Sequence, residues 1–222
     1  MHTAPVPLAR ISHVVLLLLI LAALASAQEN NARPLIVQPV DETQLTTLKG
    51  NTHPLAHPQF DRGAAPPDLP MQRMLLVLRR SDEQESALRK LLDDQQDKAS
   101  PNYHKWLTPE QFGRQFGPAD QDVQAVTSWL QMHGFQIGQV TKGRTVIEFS
   151  GTAAQVQEAL HTSIHKFVVN GEEHWANASD PQIPSALTPA VAGVNTLHNF
   201  LKKPMIRVGP RVPVTIKPGS PH

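Results

Sequence analysis

The first residues whose types suggest chemistry are Ser150-Gly151-Thr152-Ala153-Ala154, a serine beside glycine where a strand pattern gives way to a helix pattern. The string lacks the second glycine of a nucleophile elbow, so Ser150 or Thr152 is expected to cap the helix instead. His161 and His165 are four apart, but a helix-to-strand break falls between them and denies them a shared face. With no third ligand at a diagnostic spacing, no zinc site is expected. His104, His133, His174 and His198 fall in loops or at element ends, where solvated or capping roles are commoner than ligation. Asp93 and Asp94 adjoin on a helix and point in different directions, so they form no acid/base dyad. Trp106, Trp129 and Trp175 stand singly within apolar patterns and read as core or interface anchors. Asn177-Ala178-Ser179 matches a glycosylation sequon. There is no cysteine, hence no thiol nucleophile and no cysteine-based metal site. No phosphate loop, dinucleotide fingerprint or basic patch is present. The expectation is a chain without catalytic residues or cofactor.

The elements that would position these residues are well punctuated. Met74 to Arg80 is an apolar run of strand length. Ser81-Asp82-Glu83-Gln84 follows at once with capping-box spacing and acids in the first turn. Ala87, Leu88, Leu91 and Leu92 carry helical spacing through Gln95. Thr108, Pro109 and Gln111 open a second, short helix that Gly117-Pro118 stops. A third helix runs from near Ala119 to His133, burying Val123, Val126, Trp129 and Leu130, with Gly134 as its left-handed cap. Residues 135–140 and 144–150 read as a hairpin turning at Lys142-Gly143, and 152–160 as a helix. Residues 162–169 and 174–178 form a second hairpin around Asn170-Gly171, the strongest short hairpin signal. Residues 194–200 can supply a last strand. The order fits an α+β sandwich of ferredoxin-like type, one antiparallel sheet with helices on one face.

The two ends read differently. Arg10, the apolar stretch Ile11 to Leu24 and Ala25-Ser26-Ala27 have the form of a secretory signal over residues 1–27, cleaved before Gln28. The apolar stretch is shorter than the roughly 20 residues that span a bilayer comfortably. Removing it takes away Arg10 and leaves 19 Lys and Arg against 19 Asp and Glu, a balance that points to no nucleic-acid or membrane partner. Secretion, or export to the periplasm, is the expected localisation. Residues 28–70 are Pro-rich and read as an extended arm with one short strand around Leu45 to Leu48. Residues 71–200 are the compact domain, and 201–222 a Pro-rich tail or linker.

One pattern implies a partner. Met74, Leu76 and Leu78 alternate with Leu75 and Val77, so this strand is apolar on both sides, as are Ile164/Val168 against Phe167/Val169. A sheet covered by helices on one face should alternate apolar with polar. A second covering layer is expected, either another protein or the chain's own arm.

The ordered strings then carry a resemblance. Residues 75–135, with SPNYHKWLTPEQFGRQFGP, IEFSGTAAQVQEALHT, GEEHWANASDPQIPSAL and VAGVNTLHNF further on, resemble the pro-kumamolisin activation domain, the propeptide of sedolisin-type serine-carboxyl peptidases. NTHPLAHPQFDRG is similar to the arm that precedes it in bacterial members. The resemblance implies a subtilisin-propeptide-like, ferredoxin-like domain. It would dock on a sedolisin-type catalytic domain, assist its folding and hold it inactive until acid conditions. The family's catalytic serine lies in a Gly-Thr-Ser context; here alanine follows Gly151-Thr152, so no catalytic residue carries over. Tyr103, Trp175 and Phe200 are the partner-binding candidates. The alternatives are a free-standing secreted inhibitor or chaperone acting in trans, an unrelated secreted binding module and, last, a hydrolase.

Overall fold

The computed structural model describes residues 32–200; the signal-like segment 1–27 and the tail 201–222 lie outside the described residues. In chain order the elements are β1 (Leu45–Thr47), β2 (Asp61–Ala64), β3 (Pro70–Leu78), α1 (Asp82–Gln96), α2 (Pro109–Phe116), α3 (Asp120–Met132), β4 (Gln136–Val140), β5 (Val146–Thr152), α4 (Ala153–Leu160), β6 (Ile164–Val169), β7 (Glu172–Asn177), β8 (Gln182–Pro184) and β9 (Val191–Asn195). The main sheet has the order β4-β5-β3-β9, antiparallel throughout. With helices between β3 and β4 and again after β5, this is the split βαβ arrangement of a ferredoxin-like fold. β2-β6-β7 form a second sheet, and β1 pairs with β8. No helix among the described residues is long and apolar enough to cross a membrane.

The register explains the core. Leu76 stands opposite Ile147 and Val194, and Met74 opposite Phe149. These inward side chains are buried with Val126, Trp129 and Leu130 of α3 and Val156, Ala159 and Leu160 of α4 in one cluster. The helical layer over the sheet is therefore α3 and α4. The first helix does not share in it: Leu92 is 52% exposed, and Gln95 is the buried residue of α1.

The capping boxes expected at Ser81 with Gln84 and Thr108 with Gln111 are formed, and Thr152, one of the two expected caps of the last helix, forms a third with Gln155. Two of the glutamines do more. The carbonyl oxygen of Gln84 accepts from Ser81 N–H (3.1 Å) while its amide donates to Gly117 O (2.8 Å). Gln155 likewise accepts from Thr152 N–H (2.8 Å) and donates to Gly134 O (2.8 Å). A side-chain amide has both an acceptor and a donor, so one residue caps its helix and ties it to the preceding one. Asn170 and Gly171 both have positive φ (53° and 81°), as a type I′ turn requires. In the other hairpin Arg144 takes the left-handed position (φ 62°), one residue beyond the expected Lys142-Gly143.

Residues 32–69 are folded back onto the rest of the molecule through acceptors that lie far off in sequence. Leu35 and Ile36 N–H donate to the fully buried Asp122 carboxylate of α3. Glu42 Oε1 accepts from Trp129 Nε1 at 2.9 Å. Asp180 accepts from Gly50 N–H, Asn51 N–H and the Thr52 hydroxyl. Asn51 in turn caps the edge of β9 by accepting Val194 N–H at 2.7 Å. Further on, Ala56 and Phe60 pack on Phe167, Val169 and Ala176. This segment thus covers the second apolar side of β6, but not that of β3.

Candidate partner-binding site

The residues suspected of chemistry have structural work. Ser150 Oγ accepts Arg73 N–H (3.0 Å) where β3 bulges between Met71 and Met74 and Arg73 adopts φ 55°. Thr152 is the helix cap. His161 closes α4 in the left-handed region (φ 49°). His165 Nδ1 meets Asp61 Oδ2 at 2.8 Å, an Asp–His pair that joins β2 to β6. Among the described residues no hydroxyl bonds to its other nitrogen, so no nucleophile completes it. Asp94 pairs with Lys90 at 3.0 Å, which lowers its pKa. No group of three His, Asp or Glu able to hold a metal occurs among the described residues. Asn177 is fully buried and donates to Asn51 O and Ser179 O. In the folded chain the sequon offers no acceptor amide.

The three partner-binding candidates are placed in two regions. Tyr103 is half-buried in the loop after α1, stacked on His104 with ring centroids 3.8 Å apart. The loop's exposed aromatic is Trp106, 64% accessible and stacked on His104 at 5.8 Å. Trp175 and Phe200 are joined through Asn199: Trp175 N–H donates to Asn199 Oδ1 (2.9 Å), and Asn199 N–H to Trp175 O (3.0 Å). Trp175 is half-buried against the main core.

Phe200 lies between two imidazoles. His53 stacks on it at 4.5 Å and 10°, His174 at 4.3 Å and 24°. His198 stands 4.5 Å from the His53 ring. Phe200 N–H donates to His198 Nδ1 (3.2 Å), and Leu55 N–H to His53 Nδ1 (3.2 Å). Burial, and then the neighbouring imidazole, hold the pKa values of His53 and His198 below the ordinary histidine value. His174 and His198 were expected at loops or element ends in solvated or capping roles, and the spacing of positions 53, 174 and 198 carries no sign that the three rings meet.

The outer face of the main sheet is the other candidate surface. Leu75 and Val77 are half-buried there and belong to neither apolar cluster. Their cross-strand neighbours are Glu148, Val146, Gly193 and Asn195. Arg73 pairs with Glu148 at 3.3 Å at one end. The result is a shallow apolar strip, two to three side chains wide, bordered by charge and amide groups.

The sequence that builds this fold has known relatives. Residues 60–200 match the pro-kumamolisin activation domain, and the chain belongs to that family. It is 34% identical over 164 residues to xanthomonalisin of Xanthomonas sp. (strain T-22), covering 71% of this chain and 19% of that protein. It is 32% identical over 128 residues to sedolisin of Pseudomonas sp. (strain 101), covering 57% and 22%. The chain thus spans about a fifth of the length of the curated relatives it matches. The matched region is an activation domain, a propeptide of sedolisin-type peptidases, and such a domain is not itself catalytic.

Proposed function

We propose that this chain is a secreted propeptide that docks on the catalytic domain of a sedolisin-type acid peptidase, assists its folding and inhibits it until acid releases it. The observation that carries the reading is the outer face of the main sheet. Among the described residues Leu75, Val77 and Val146 belong to neither apolar cluster, while Met74, Leu76 and Leu78 on the other side of the same strand are packed in the main core. A partner that buries this strip gains the hydrophobic free energy the fold leaves unused. Acid release is supported by the carboxylates that accept hydrogen bonds within the domain, each of which becomes a weaker acceptor on protonation. Export rests on the form of residues 1–27.

The test is inhibition of mature sedolisin or xanthomonalisin by the purified chain, titrated at pH 6 and at pH 4. Tight inhibition at pH 6 that weakens at pH 4 is the expected result. Equal inhibition at both values would remove acid release, and no inhibition at either would remove the inhibitory role.

A further inference from the structure

We propose that His53, His174 and His198 form a proton-operated latch that holds Phe200 at neutral pH and lets go on mild acidification. The argument rests on how the rings are used. His53 Nδ1 and His198 Nδ1 each accept a backbone N–H two residues on, from Leu55 and from Phe200 itself. An imidazole can accept only through an unprotonated nitrogen. Protonation converts both acceptors into donors, and the N–H of Phe200 then faces another N–H. The same protonation places two positive rings with centroids 4.5 Å apart in a half-buried setting where their repulsion is poorly screened.

The apolar side of the latch is modest. Phe200 packs on Phe167, Val169 and Ala176 together with Ala56 and Phe60. Beyond this, the segment is held to β7 by the bridge at Ala176 and His198, with Asn199 N–H to Trp175 O and Asn177 N–H to Leu197 O, and by Trp175 N–H to Asn199 Oδ1. A segment tied down by so few contacts opens locally without unfolding the domain. The sign follows from the direction of the shifts. His53 and His198 have pKa values lowered below 6.5, so the closed form binds protons less readily than the open one. Their contribution to closure is complete above 6.5 and declines as pH falls below it.

The surrounding charges do not reverse this. On β7, Glu172 Oε2 lies 3.9 Å from His174 Nε2, while Glu173 pairs with Lys166 on β6. Asp180 accepts from Gly50 N–H, Asn51 N–H and the Thr52 hydroxyl, just before His53. Asp61, occupied by His165, and Arg62 and His57 flank Phe60 in sequence. The latch as such needs no peptidase; its use, freeing Phe200 from the domain as pH falls, rests on the propeptide reading.

The experiment is NMR of the purified chain alone between pH 7.5 and 4.5. The Phe200 ring protons, shifted upfield by the two stacked imidazoles at pH 7.5, are expected to move to the averaged position of a free phenylalanine. That midpoint should coincide with the titration of the His53 and His198 ring protons, while Trp129 and Phe149 signals stay put. The double variant His53→Phe with His198→Asn keeps a stacking ring and an acceptor for Phe200 N–H without titrating, and should hold the shifted signals to pH 4.5. Wild-type Phe200 signals unchanged down to pH 4.5 would overturn the latch. So would loss of the Phe200 shifts only together with the core signals, or at a pH unrelated to the two histidine titrations. Because no peptidase is present, failure here leaves the inhibition reading standing, and failure of inhibition leaves the latch standing.

Discussion

The carboxylate of Asp122 on α3 and the backbone of Leu35, 87 positions earlier, are joined by two hydrogen bonds of 3.0 and 2.9 Å, and Ile36 N–H adds a third at 2.9 Å. Asp122 is fully buried, so its charge is compensated by these donors and by its place in the first turn of α3, where the helix dipole favours an anion. Hydrogen bonds to charged groups contribute about 1.5–3 kcal/mol each when neither partner has an alternative. Asp122→Asn turns one acceptor oxygen into an NH₂ facing N–H donors. It should cost about 2–3 kcal/mol in denaturant unfolding and loosen residues 35–36 in hydrogen exchange. A loss below about 0.5 kcal/mol, the range of ordinary surface changes, would contradict the account.

The double role of Gln84 and Gln155 predicts a contrast among the three capping boxes. A glutamate can replace the box acceptor but not the amide donor to Gly117 O or Gly134 O. Gln84→Glu and Gln155→Glu should each cost about 1–2 kcal/mol, because a carboxylate then faces a carbonyl. Gln111→Glu, where the box stands without a recorded donor bond from the amide, should change stability by less than about 0.5 kcal/mol. Equal losses in all three would show that the cross-element bonds contribute nothing.

Asp180 predicts an acid dependence. Burial raises its pKa, but hydrogen bonds from Gly50 N–H, the Thr52 hydroxyl and Asn51 N–H outweigh that and leave it below 3.8. A depressed carboxylate adds stability that is present above its unfolded pKa and disappears as pH falls through its folded one. The stability difference between wild type and Asp180→Asn should therefore be constant above about pH 5 and shrink as pH falls through the lowered folded-state value. Asp61, raised by burial and lowered further by Gly63 N–H and His165, should behave in the same direction. Differences that grow on acidification would contradict the assignment.

At the Asn170-Gly171 turn, Gly171 has φ 81° and open space around its absent Cβ. Gly171→Ala should lower stability by about 1 kcal/mol through backbone strain alone. An unchanged unfolding midpoint would mean the hairpin tolerates another turn type.

What could be read from the residues was what is local. The capping boxes, the Asn-Gly hairpin and the α3 face with Trp129 follow from spacings of two to four residues, and they appear where those spacings put them. The path of residues 32–69 could not be read in this way. It is fixed by Asp122, Asp180 and Asn51 across 86 to 143 positions, and no periodicity encodes such pairs. β2 and β8, four and three residues long, were missed because their pairing partners, not their own patterns, make them strands. The last strand runs over Val191–Asn195 rather than 194–200, since residues 197–199 bond instead to β7. In the α1 loop the half-buried Tyr103 was singled out, whereas the exposed ring is Trp106; exposure there is decided by how Gln95 grips Lys105 O and His104 N–H.

The central claim is that the outer face of the main sheet docks on the peptidase. Val77 lies on that strip beside Val146 and Gly193 and outside both apolar clusters, so Val77→Asp should lower the unfolding midpoint but leave the chain folded under assay conditions. Inhibition of mature sedolisin at pH 6 by the two chains, measured side by side, is the most direct test. The account predicts a Val77→Asp chain that stays folded and inhibits about 30-fold less well or worse, as expected of a central interface residue. A Val77→Asp chain that inhibits as strongly as wild type would place the docking surface elsewhere on the molecule.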